Sequence, residues 1–159
     1  MKKYELTAEF IEKWGKKLFR IKALISFGSV EAGELGGYVE KEDNLAQDGD
    51  AWVYGDARVY GDAEVCGNAW VCGNADYLLI GRIGSRFSFT TFFKNKDKGI
   101  TVSCGCFLGT IAEFRAKVTD THGNNKHAKI YNLAADMAEL QILGEEHFDK
   151  LNTNKSEPF

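Results

Sequence analysis

The chain has 159 residues, a formal net charge of −3, 44% hydrophobic and 27% charged residues, 17 Gly and one Pro. That balance fits one folded domain or two small ones, rich in tight turns rather than disordered. No apolar run approaches the roughly 18 residues that a bilayer span needs, and no apolar segment follows the basic start MKKYELTAEF to make a secretion signal, so the expected location is cytoplasmic.

The charge is unevenly spread. Residues 1–30 hold seven bases against three acids, a net of +4; residues 31–76 hold eleven acids against Lys41 and Arg58 alone, a net of −9; the remainder carries +2. An acidic block therefore lies between two mildly basic ends.

Residues 1–44 read as an N-terminal cap. Thr7 is placed to cap a helix that presents Phe10, Trp14 and Leu18 on one face. LFRIKALIS alternates Phe19, Ile21, Ala23 and Ile25 against Arg20 and Lys22, the pattern of a strand. GELGGY reads as a turn into the next segment.

Residues 45–75 form a six-residue repeat. The clearest units are AWVYGD, ARVYGD, AEVCGN and AWVCGN, with LAQDGD before them as a degenerate unit. Val and Ala lie two apart and share one side of a short strand, toward a core. Gly-Asp and Gly-Asn supply the backbone freedom of a tight turn. The remaining positions, Trp52, Tyr54, Arg58, Tyr60, Glu64, Cys66, Trp70 and Cys72, are expected to point outward. Six residues at about 3.3 Å each make a flat face of roughly 20 Å, and three such faces close a triangular coil. In such a coil residues 18 apart stack, Trp70 over Trp52 and Cys72 over Tyr54.

Residues 76–159 read as a second domain of three strands and two helices. The strands are DYLLIGRI, RFSFTTFFK and GITVSCGCF, the last two joined by the hairpin turn NKDKG. TIAE is a capping box, with Thr110 and Glu113 satisfying the first helix amides, and Gly123 ends that helix. A second helix from about Asn125 carries Ile130, Leu133, Ala134, Met137 and Leu140 at helical spacing. The polar end LNTNKSEPF is expected to fray.

The spacing of Val53/Ala57, Val59/Ala63, Val65/Ala69 and Val71/Ala75 resembles that of hexapeptide-repeat, left-handed parallel β-helix proteins. The wording VYGDARVYGDA is similar to repeat proteins of bacteria and their phages, often labelled hexapeptide transferase-like. The resemblance implies a mainly β chain with an α+β flank: a short left-handed parallel β-helix of about two coils over 45–75, capped by a helix and strand on one side and by the 76–159 domain on the other.

The acyltransferases of that family use a histidine base beside a coil face. Here His122, His127 and His147 all lie outside the repeat, and the sequence holds no P-loop, GxSxG or HExxH. No catalytic residue, cofactor or metal site is therefore assigned. Cys66, Cys72, Cys104 and Cys106 lack the spacing of the usual zinc knuckles and read as free thiols. Asp56 and Asp62 head turns and serve turn formation ahead of any calcium ladder.

The expectation is a non-catalytic binding protein, with Trp52, Tyr54, Asp56, Arg58, Tyr60, Asp62, Glu64 and Trp70 as the contacting face. Exposed aromatics ringed by charge make binding hot spots. An acidic surface can occupy a basic groove built for phosphates. The partner expected is thus a host protein with a basic surface, as for a phage-encoded inhibitor of a defence or nucleic-acid-handling protein. Direct nucleic-acid binding and membrane contact are not expected; homo-oligomerisation is compatible with the fold. The alternatives are a hexapeptide-type acyltransferase and an oligomeric sponge for a small nucleotide.

Overall fold

The computed structural model describes residues 2–156, with side chains through 150. The chain divides into two compact units, Met1–Asp76 and Tyr77–Phe159. No helix among the described residues is long and apolar enough to cross a membrane.

The first unit is organised by an antiparallel hairpin. Strand β1 (Tyr4–Lys13) pairs with β2 (Lys16–Ala23), and β2 pairs antiparallel with β3 (Leu35–Val39). The expected N-terminal helix does not form: Thr7, Phe10 and their neighbours are strand. Trp14 and Gly15 make the hairpin tip at φ +53° and +74°, the left-handed pair that a two-residue turn of matching twist requires. Phe10 and Trp14 look helical at spacing four only until that turn is recognised.

The repeat contributes three two-residue strands, β4 (Trp52–Val53), β5 (Arg58–Val59) and β6 (Trp70–Val71). β5 joins the hairpin sheet parallel to β3, giving the order β1-β2-β3-β5, and β4 pairs parallel with β6. A single parallel bridge joins Leu45 to Val65. The expected left-handed parallel β-helix is therefore corrected. The sheets are mostly antiparallel, and no coil of a parallel β-helix is found among the described residues. The long strands belong to the hairpin. The repeat's own strands are two residues each, separated by turns in which Gly49, Gly55, Gly61 and Gly67 all take positive φ.

Inward facing holds for the Val column and for the Ala column through Ala69, whereas Ala75, at the end of the repeat, is exposed. Val53, Val59, Val65 and Val71 are at most 1% exposed, and Ala51, Ala57, Ala63 and Ala69 at most 3%. Tyr4, Leu18, Ile21, Val39 and Leu45 are buried in this unit as well. Gly36 and Gly37 in β3 let that strand lie directly against the repeat: a Cβ at 37 would stand 2.4 Å from the Ala57 carbonyl oxygen.

The second unit is an antiparallel sheet with helices. Its order is β10 (Phe107–Thr110), β9 (Ile100–Cys104), β8 (Ser88–Lys94) and β7 (Tyr77–Ile83). The three expected strands are present, and GITVSCGCF folds back on itself at Gly105 to make a fourth. Helices α1 (Ile111–His122) and α2 (Lys126–Ala138) pack through Phe114, Val118, Tyr131 and Ala135 on Phe92 and Val102. The Thr110–Glu113 capping box and Gly123 beyond α1 are in place, and Asn125, the expected start of the second helix, caps it by accepting from the Ala128 amide. A π-helical turn, Glu139–Leu143, leads to α3 (Glu145–Ser156). The expected frayed tail is thus helical in its backbone through Ser156; residues 157–159 lie outside the described residues.

Candidate functional site

The first unit carries an open cleft of about 310 Å³ lined by Glu42, Asp43, Leu45, Ala46, Gln47, Glu64, Val65 and Cys66. Leu45 and Val65, bridged to each other, are buried and floor it. Three carboxylates stand around that apolar floor. A 3-10 turn, Glu42–Asn44, carries two of them. The buried Asn44 side chain fixes the turn at both ends: it accepts from the Glu40 and Lys41 amides and donates to the Gly61 and Ala63 carbonyls. The buried Tyr4 hydroxyl donates to the Leu45 carbonyl at 2.6 Å, with that of Glu42 at 3.0 Å. Gln47 is held by the Lys3 and Tyr4 amides.

Behind the cleft lies a buried cation. Lys3 is 2% exposed. Its Nζ donates to the Ala51 carbonyl at 2.8 Å, with those of Asp48 and Gly49 at 3.4 Å, and stands 4.8 Å from the centre of the Phe27 ring. Burial lowers its pKa to about 8 against the upward pull of Asp48, Asp50 and Cys66. An unfolded chain holds this proton up to about 10.5, so between about pH 8 and 10.5 the unfolded state binds more protons and stability rises with pH. Burial, with Glu42 and Asp43, pushes the Tyr4 hydroxyl up, and stability falls again once an unfolded tyrosine would ionise. Urea titrations are therefore expected to show a gain of about 2 kcal/mol between about pH 8 and 10. Lys3→Met should flatten that rise; an unchanged slope in the variant would show that Lys3 is not its source.

The eight residues expected on one outer face separate. Trp52 is fully buried, its ring edge-on to Tyr4 (6.1 Å) and Phe27 (5.3 Å). Trp70, its partner in the β4–β6 ladder, remains 37% exposed against Tyr54 at 5.8 Å. The two share a column, but the N-terminal segment covers only the Trp52 level. Asp56 is exposed and paired with Arg20 at 3.1 Å. Asp62 is exposed, 4.0 Å from Lys41. Tyr60 lies against Trp14 (5.3 Å). Arg58 is half-buried; its amide donates to Asn74 Oδ1, and its Nε has no hydrogen-bond partner among the described residues. Of the eight, only Glu64 lines the cleft.

Sequence reasoning missed Glu42, Asp43, Lys3, Trp14 and Arg20. Trp14 is 70% exposed; the Trp-Gly pair flanked by lysines was its available signal. Arg20 joins Glu9, Asp56 and the Tyr38 hydroxyl and lies over the Tyr38 ring at 4.4 Å. The rest have no local signal, because their partners come from segments distant in sequence.

The histidines lie in the second unit. His122 ends α1 and stacks on Tyr131 (5.9 Å) beside a small pocket of about 110 Å³. His127 is in the first turn of α2 and His147 near the start of α3. None of the four cysteines is disulfide-bonded. Among the described residues no group of three or more His, Cys, Asp or Glu is arranged to hold a metal.

No protein-family model matches the chain, and no curated protein matches it. The resemblance to hexapeptide-repeat proteins is thus corrected: no family match accompanies the repeat, and the sheets lack that family's coil.

Proposed function

We propose that the chain is a non-catalytic binding protein whose working surface is the acidic cleft of the first unit with the exposed aromatics around the repeat. The cleft carries this reading: three carboxylates over an apolar floor suit an entering lysine or arginine, whose stem is apolar and whose head is cationic. The surrounding −9 segment favours approach of a basic surface over long range. The Tyr54–Trp70 and Trp14–Tyr60 pairs offer amphipathic contact area. The partner proposed is a protein with a basic patch, of the kind that handles nucleic acid.

Immobilised protein tests this reading against the variant Glu42→Gln/Asp43→Asn/Glu64→Gln. Basic proteins retained by the native chain should fall roughly tenfold on the variant, and should elute as salt rises from about 0.05 to 0.3 M. Equal retention by both proteins, or retention indifferent to salt, overturns the proposal.

A further inference from the structure

Helix α2 faces the wrong way for a helix with one buried side. Toward the sheet it presents Ala128, Tyr131, Ala134, Ala135 and Ala138, all buried. Its large aliphatic side chains point outward: Leu133 and Met137 are 66% and 55% exposed and Ile130 is half-buried, and Leu140, on the π-helical turn that continues α2, is 43% exposed. The intervals 130, 133, 137 and 140 are three, four and three residues, the seam spacing of a coiled coil. Sequence spacing alone placed Ala134 with these residues; the structure turns it inward and leaves a purely aliphatic seam.

The charges beside the seam are polarised. The start of α2 carries exposed Lys126 and Lys129, while just beyond its far end α3 begins with exposed Glu145 and Glu146. A second copy laid antiparallel sets each lysine end against a glutamate end, and sets the two helix dipoles side by side and opposed, each positive end beside a negative one. A parallel copy would set lysine on lysine and glutamate on glutamate.

We propose that the α2 face is a homodimer interface in which two copies of this chain pack their α2 helices antiparallel. A twofold axis passes between Leu133 and Met137, so each of these residues meets the other on the second copy, and Ile130 meets Leu140. The interface is isologous, and every substitution acts twice. It uses neither the cleft nor its aromatic surroundings, so it stands or falls separately from the proposed binding function.

Sedimentation velocity on the full chain tests it. The native protein should show a concentration-dependent dimer. Leu133→Glu/Met137→Glu should be monomeric with native far-ultraviolet dichroism. Should that variant lose its helical signal, Leu133→Ala/Met137→Ala should weaken association by at least about tenfold. Two further proteins test the orientation: Lys126→Glu/Lys129→Glu and Glu145→Lys/Glu146→Lys should each dimerise less well than the native chain, and their mixture should form a heterodimer. A native chain that stays monomeric to about 0.5 mM, or a dimer indifferent to the seam substitutions, overturns the proposal. Association unchanged or strengthened in both charge variants overturns the antiparallel arrangement.

Discussion

Gly37→Ala is expected to destabilise the first unit by more than about 3 kcal/mol. A Cβ at this position would stand 2.4 Å from the Ala57 carbonyl oxygen and 2.7 Å from Val53 Cγ1. A valine methyl can rotate away, but a backbone oxygen cannot. That same oxygen accepts the Tyr38 amide at 2.9 Å, next to the Tyr38–Arg58 and Val39–Val59 pairs that join the repeat to the hairpin sheet. Relieving the clash therefore means opening the parallel ladder. All three tryptophans, at 14, 52 and 70, lie in this unit, so tryptophan fluorescence during urea unfolding reads it selectively. Gly55→Ala is the matched control. Gly55 has φ +58° with nothing within 4 Å of an added Cβ, so only backbone strain applies, at about 1 kcal/mol. If the two variants shift the midpoint equally, close strand approach is not what Gly37 provides.

The contrast between those glycines shows where sequence is informative. Gly55 belongs to a Gly-Asp turn that is recognisable within six residues. Gly37 matters because a strand twenty residues away touches it, and no local pattern encodes that contact. The same division runs through the chain. Thr110, Glu113 and Gly123 act within one helix turn and were readable as caps. The Val column and the Ala column through Ala69 were readable as core because burial follows strand alternation. The arrangement of that core was not readable, since a repeat constrains each unit and leaves open what its edge pairs with. Here β5 pairs with β3, a strand from outside the repeat. Trp52 and Trp70 occupy equivalent repeat positions and have opposite burial, because Tyr4, Phe27 and Gly36 cover only the first. The cleft follows the same logic. Glu64 was visible as an outward position, whereas Glu42 and Asp43 reach the cleft through Asn44 and Tyr4, which act across gaps of about twenty and forty residues.

Arg115→Met is expected to cost the second unit about 3 kcal/mol. Arg115 on α1 reaches across to α2 and the turn beyond it, donating to Asp136 Oδ1 at 2.7 Å, Glu139 Oε1 at 2.8 Å and Asn132 Oδ1 at 3.1 Å. The Glu139 side chain is only 6% exposed, whereas that of Asp136 is 37% exposed. Removing the guanidinium leaves Asp136 able to draw on water, but strands the Glu139 carboxylate in a mostly apolar setting beside a like charge. The loss thus comes chiefly from one uncompensated buried ion rather than from the pair's net attraction. A double variant separates the two. Arg115→Met/Glu139→Met removes the stranded charge along with its partner and should recover most of the lost stability. The α-helices among the described residues all lie in the second unit, so ellipticity at the helix band reports the transition while tryptophan fluorescence follows the first unit. A double variant no more stable than Arg115→Met would mean that the cost lies in lost packing of the arginine stem between α1 and α2, not in the buried carboxylate.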